Sequence, residues 1–205
     1  MKLDHRRLPS DFDVYLFHEG TLYESYKMLG AHLIEENEVQ GVRFAVWAPN
    51  AKKVSVVGNF NNWIGTKHRL ERLDQSGIWV LFVPDLAQRA ISKHAVTGPD
   101  GQKVLKADPY ALYTQLRPET ASIIYNLNAF EWSDQKWMTQ RVKKDMYHKP
   151  MAIYEVHLAS WKHKEDGECY RYQEFADEIM EYAIDNGFTH NELMHGMEHP
   201  YDGSW

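Results

Sequence analysis

Val42-Arg43-Phe44-Ala45-Val46-Trp47, the turn Ala48-Pro49-Asn50-Ala51 and Val54-Ser55-Val56-Val57 form the stretch that decides the fold. Two short runs rich in β-branched and aromatic residues flank a Pro-Asn turn, which is the pattern of successive strands. Working outward, Ile78-Trp79-Val80-Leu81-Phe82-Val83 is continuous and apolar, the mark of a strand buried on both faces. Residues 91–97 and 122–127 read as further strands. Turn clusters separate them: Asn59-Phe60-Asn61-Asn62, Asp74-Gln75-Ser76-Gly77 and Gly98-Pro99-Asp100-Gly101. Gly and Asn accept positive φ there, and Pro presets φ near about −65°. Short strands at fairly regular spacing predict a β-sandwich over residues 41–130.

The flanks read differently. In residues 1–40, Leu22, Tyr26 and Leu29 fall on one face of a helix, and Gly30 supplies a left-handed stop. This predicts a helical N-terminal segment. Residues 131–150 are polar and basic, with Arg141, Lys143 and Lys144, and read as a linker helix with a solvated face. In residues 151–205, a strand at Ala152–Leu158 precedes a helix presenting Phe175, Ile179, Tyr182 and Ala183. Gly187 ends the helix, and 188–193 form a second strand. Strand, helix and strand with short connections make a βαβ unit whose strands are parallel. Such a unit leaves open strand edges, and a (β/α)8 barrel takes roughly 250 residues. The expected fold class is therefore a mainly β sandwich followed by an incomplete (β/α)8 barrel start.

Composition narrows the function. Lys and Arg number 23 against 29 Asp and Glu, a net charge of −6, which argues against nucleic acid as the main partner. A 43% hydrophobic and 25% charged chain is not a disordered one. The sequence has no apolar run of membrane-spanning length and no signal-peptide core, so no membrane partner is expected. Cys169 is the only cysteine and cannot close an internal disulfide. A cytoplasmic location is the simplest expectation. His195-Gly196-Met197-Glu198-His199 fits the H-x-x-E-H zinc pattern, but Gly196 and Pro200 are poor residues for the helix that pattern needs. No metal and no cofactor are expected. Trp47 and Trp79 lie within strands and are read as core; Cys169, beside Glu168 and Asp166, is not read as a nucleophile.

An ordered set of motifs carries a resemblance. Tyr15-Leu16-Phe17-His18-Glu19-Gly20-Thr21 opens it, followed by Leu29-Gly30-Ala31-His32 and the Gly41–Ala51 stretch. Val56-Val57-Gly58-Asn59-Phe60-Asn61-Asn62-Trp63, Lys106-Ala107-Asp108-Pro109-Tyr110-Ala111 and Arg117-Pro118-Glu119-Thr120-Ala121-Ser122 continue it. Met151–Leu158, Gly187–His190 and Met197–Trp205 complete it. In this order the motifs resemble the N-terminal portion of bacterial 1,4-α-glucan (glycogen) branching enzymes, of the α-amylase superfamily. The resemblance implies an immunoglobulin-like sandwich of carbohydrate-binding type, then the start of an α-amylase-type barrel. Three departures stand out: Ala159 where Gly is usual, Asn191 in the second barrel strand, and Ser92-Lys93-His94-Ala95 where the family is aromatic-rich. A polar Asn191 in a buried strand costs about 1–3 kcal/mol unless it finds a partner.

The same resemblance implies functional residues. Trp63 and Lys93 match positions where related modules contact glycans: an indole packs on the C–H face of a sugar and an ammonium donates to its hydroxyls. The usual third element, an aromatic after the Asp100-Gly101 turn, is replaced by Gln102 and Lys103. Glu198, His199 and Asp202 match supporting positions of the active-site rim. The catalytic Asp and Glu of the family fall on later barrel strands, so no catalytic residue is assigned here and the chain alone is expected to be inactive. The complete enzymes cleave α-1,4 glucan and transfer the chain to a 6-hydroxyl, making α-1,6 branches. The expected partners are an α-glucan such as glycogen or amylose and the remainder of the barrel. The alternatives are a stand-alone glycan-binding module and a non-functional truncated product.

Overall fold

A computed structural model describes residues 9–143, 145, 148–194 and 196. They form two compact units, one up to Trp132 and one from Ser133. The first unit opens with α1 (Asp11–His18). Its start is a reciprocal cap: Asp13 N–H donates to the Ser10 hydroxyl at 3.1 Å, and Ser10 N–H donates to the Asp13 carboxylate at 3.3 Å. Gly20, at φ +73°, breaks the chain away, and the short α2 (Ser25–Met28) follows. Of the helix expected over Leu22, Tyr26 and Leu29, only Ser25–Met28 is helical: Leu22 and Leu29 lie outside it, and Leu29 is buried while Tyr26 is 45% exposed.

The strands run in order as β1 (Gly30–Glu36), β2 (Val39–Trp47), β3 (Lys53–Gly58), β4 (Glu71–Leu73), β5 (Ile78–Pro84), β6 (Ile91–Thr97), β7 (Lys103–Lys106), β8 (Tyr113–Thr114) and β9 (Ser122–Ile123). One sheet has the order β1-β2-β5-β4; the other has β3-β6-β9-β8, with β7 also on β6. All these pairs are antiparallel. The expected immunoglobulin-like sandwich is present. Strand β1 lies inside the segment expected to be helical; pairing of 30–36 with 39–45 of β2 overrides its weak local signal.

Alternation along β2 and β5 explains their apolar runs. Val42, Phe44, Val46, Trp79 and Val83 meet Val54 and Val56 of β3 and Ile124 between the sheets. Ala45, Ile78 and Val80 point the other way and pack with Met28 and Leu29, with Val14, Phe17 and Leu22 against them. The expected burial of Ile78–Val83 on both faces is therefore met by a sheet on one side and the helices on the other. Arg43 faces the helices too; its Nη2 donates to Lys27 O at 2.9 Å and Met28 O at 3.3 Å, satisfying carbonyls at the end of α2.

Trp79 is core, with Nε1 donating to Ala48 O at 2.9 Å. Trp47 is not: it is 49% exposed. It ends β2 opposite Ile78, on the helix-side face, where only the edge of Phe17 reaches it at 5.8 Å. In β6, His94 takes an inward place usual for an aromatic ring. It stands edge-on to Phe44 at 6.5 Å and 3.7 Å from the Asp108 carboxylate.

The second unit holds α3 (Gln135–Arg141), β10 (Ile153–His157), α4 (Leu158–Trp161), α5 (Tyr172–Asp185) and β11 (His190–Met194). α3 is shorter than the linker helix expected over 131–150 and buries nothing. β10 and β11 are parallel, as the βαβ reading required. α5 buries Phe175, Ile179 and Ala183, whereas Tyr182 is half-exposed. Tyr154 and Trp161 close this small core, and Trp161 Nε1 donates to the Tyr154 hydroxyl at 2.9 Å. Asn191 pairs with Tyr154 in register, and its buried Oδ1 has no hydrogen-bond partner among the described residues. Among those residues no helix is long and apolar enough to cross a membrane.

Two outcomes are expected. Asn191→Val removes the orphaned oxygen and stabilises the second unit by about 1–3 kcal/mol, read by amide hydrogen exchange in α5. Burial is the largest influence on His32 and lowers its pKa, Arg43 adds to this, and the hydrogen bond to Leu29 O opposes it. With the folded pKa below the unfolded 6.5, the unfolded state binds more protons in between, so stability falls as pH drops below 6.5. Urea midpoints across that window show the fall, and His32→Gln, which keeps a donor near Nε2 but does not titrate, reduces it.

Candidate functional site

The site grows from the end of β3. Gly58 leaves no room for a side chain: a Cβ there lies 2.0 Å from Ile91 O and 2.6 Å from Phe60 Cε1. That close approach lets the backbone of β3 turn sharply into a single helical turn, Asn59–Asn61. Asn59 Oδ1 accepts from Ile91 N–H at 3.1 Å, tying the turn to the start of β6. Asn62 and Trp63 then both adopt the left-handed conformation, at φ +51° and +62°. Trp63 N–H donates to Gly58 O at 2.9 Å, and Ile64 N–H donates to Asn61 O at 2.9 Å.

A bulky residue at positive φ is a strained one, and such strain persists only where the surroundings over-determine it. Here it presents the indole: Trp63 is 43% exposed. The polypeptide then returns past Gly65, which sits against Ser55 and Val57, and pairs along the free edge of β3. Leu70 N–H donates to Val54 O at 2.9 Å before the strand crosses to β4 in the other sheet.

Lys93 is brought to the same corner. It faces Val57 in register, one position from the Gly58–Ser92 pair that anchors Trp63. Val56 and His94 point into the sandwich, so by alternation Val57 and Lys93 point outward. The Lys93 ammonium donates to Thr120 Oγ1 at 2.6 Å. The structure thus attaches the two expected glycan-contact residues to adjacent register positions of one sheet. Thr120, 27 residues from Lys93, was visible only within the Arg117–Ser122 motif, and its contact with Lys93 was not read from the sequence. Asn61, which holds the turn, was visible only as a turn-former, and no reading of the sequence marked His68.

Gln102 and Lys103 lie elsewhere. They follow the turn at the Thr97 end of β6, with Lys103 opposite Thr97, and four residues of strand put about 13 Å between Thr97 and Lys93. Cys169 is exposed, 3.5 Å from Ala159 O and 3.9 Å from His163 Nδ1. Glu198, His199 and Asp202, and with them the His195–His199 zinc pattern, lie outside the described residues.

Residues 28–111, which include β1, match the family model of carbohydrate-binding module 48, the isoamylase N-terminal domain. Over 197 residues, 96% of the chain, the sequence is 48% identical to the 1,4-alpha-glucan branching enzyme GlgB of Geobacillus stearothermophilus. It is 49% identical over the same share to that of Bacillus caldolyticus. The chain spans 31% and 30% of the length of these two relatives. A solved Salmonella typhimurium chain described as an alpha amylase shares the fold, with TM-score 0.55 and 19% identity over 81% of this chain and 24% of that one. The resemblance read from the ordered motifs therefore holds over nearly the whole sequence.

Gly58→Ala is expected to destabilise the first unit by about 1–3 kcal/mol, because Ile91 O has to move. Trp63→Gly is expected to unfold later in urea than Trp63→Ala by about 1–2 kcal/mol, since glycine alone occupies that φ without strain. Equal midpoints for the two variants mean that the left-handed backbone is not held in solution.

Proposed function

We propose that this chain works as the leading portion of a glucan-branching system and that its own task is to hold an α-1,4-glucan against Trp63 and Lys93. The observation that carries the reading is a half-exposed tryptophan held in a strained conformation, on a module whose family is carbohydrate-binding, beside an outward lysine. The indole takes the C–H face of a glucose ring, and the ammonium, turning from Thr120, donates to a hydroxyl. The branching part rests on similarity to named branching enzymes over 96% of the chain. In this reading β10, α5 and β11 open an α-amylase-type barrel, Glu198, His199 and Asp202 support its rim, and the location is cytoplasmic. No residue of this chain is assigned to breaking or making the glycosidic bond.

Electrophoresis in a native gel cast with glycogen tests the binding. The chain is expected to be retarded relative to a glycogen-free gel. Trp63→Gly abolishes the retardation while its urea midpoint stays near that of the parent, and Lys93→Met weakens it. A parent chain that runs unretarded sinks the reading.

A further inference from the structure

The turn that presents Trp63 is locked by one side-chain amide. Asn61 Oδ1 accepts from Gly58 N–H at 2.9 Å, and its Nδ2 donates to Val56 O at 3.0 Å. Flipping the amide sets N–H against N–H at Gly58 and oxygen against oxygen at Val56. Its orientation is therefore fixed from both ends by the backbone. The second Nδ2 hydrogen points at His68 Nδ1, 3.0 Å away. An N–H directed at a ring nitrogen requires a lone pair there, so the ring is neutral and carries its proton on Nε2.

His68 is also built into the loop by its backbone. Its N–H donates to Gly65 O at 3.2 Å, and its carbonyl accepts from Val56 N–H at 2.9 Å. Phe60 stands edge-on to the ring at 5.5 Å. Protonation of Nδ1 would place two donors face to face at the point where Asn61 is held. Asn61 cannot rotate away without releasing Gly58 N–H, and Gly58 O is what holds Trp63 N–H.

We propose that His68 is a positioning residue for the Trp63 platform and makes glucan binding depend on pH, strong while the ring is neutral and weak once it is protonated. The proposal rests on the reading of Trp63 as a glucan contact. Asn61 and Phe60, the groups of the turn that meet the ring, carry no charge, and Val56 of β3 meets only the backbone of His68 through its N–H. Lys67 and Arg69 flank it in sequence. Burial first, and then the charge of Lys67, push the ring below the usual histidine range. The transition therefore lies on the acid side of pH 6.5.

The test uses the full chain with maltoheptaose as probe, by titration calorimetry from about pH 7.5 to about pH 4.5. The parent is expected to lose about fivefold to tenfold in affinity, the net worth of one hydrogen bond. His68→Asn sets an oxygen near Nδ1 and does not titrate, so it shows no such loss. His68→Ala is weaker than His68→Asn at neutral pH. In parallel, the Trp63 indole and Asn61 amide resonances shift in the parent with the midpoint of His68 and stay fixed in His68→Asn. Resonances that stay put while His68 titrates overturn the proposal, as does a pH dependence that survives in His68→Asn. No binding at neutral pH removes the glucan reading itself, and the pH-dependent affinity with it, even where the resonances move together.

Discussion

Strands β2 and β5 bury both of their faces, and the architecture of the first unit follows from that demand. Phe44, Trp79 and Val83 fill the space between the sheets while Ala45, Ile78 and Val80 need a second cover. α1 and α2 supply it, although neither is long enough to be stable by itself. Arg43, buried on that side, is tolerable because carbonyls at the end of α2 accept its protons. With the first sheet covered on both faces, the outward side of the second sheet is where an exposed loop can be carried. Lys93 and the Trp63 loop are found there.

The loop itself is an exercise in over-determination. Two consecutive non-glycine residues in the left-handed region are costly, and Asn62 and Trp63 stay there because both ends of the turn are tied. Gly58 lets the strand approach Ile91 closely, and its N–H and C=O hold Asn61 and Trp63 respectively. The backbone that carries the Trp63 indole is thereby held in one conformation.

The second unit shows the opposite balance. Its aromatic cluster is well connected, with Tyr154 stacked on Phe188 at 4.9 Å and Trp161 edge-on to Phe175 at 5.3 Å. Yet the register that builds it sets Asn191 against Tyr154 with an orphaned oxygen, and stands the exposed Glu155 and Glu192 side by side. Parallel strands favour cover on both faces, and this pair presents like charges on one of them.

Much of this was legible residue by residue. Five of the nine sandwich strands, the βαβ unit, the double burial of Ile78–Val83 and the cost carried by Asn191 follow from periodicity, turn chemistry and polarity, which are local properties of the chain. Trp63 and Lys93 were singled out through motif resemblance rather than periodicity. What the sequence did not disclose depends on partners far along the chain. β1 is a strand because 39–45 of β2 hydrogen-bonds to it, while its neighbours Leu22, Tyr26 and Leu29 mimic a helical period. Trp47 is half-exposed because Phe17 of α1 meets it edge-on and does not cover it, a matter of helix position rather than of strand composition. The Lys93–Thr120 bond and the Asn61–His68 contact exist because the pairing of β6 with β9 and the segment returning along β3 bring those atoms within 3.0 Å. Composition and spacing determined which elements form; tertiary register decided which side chains they bring together, because hydrogen-bond geometry is satisfied in space and not along the chain.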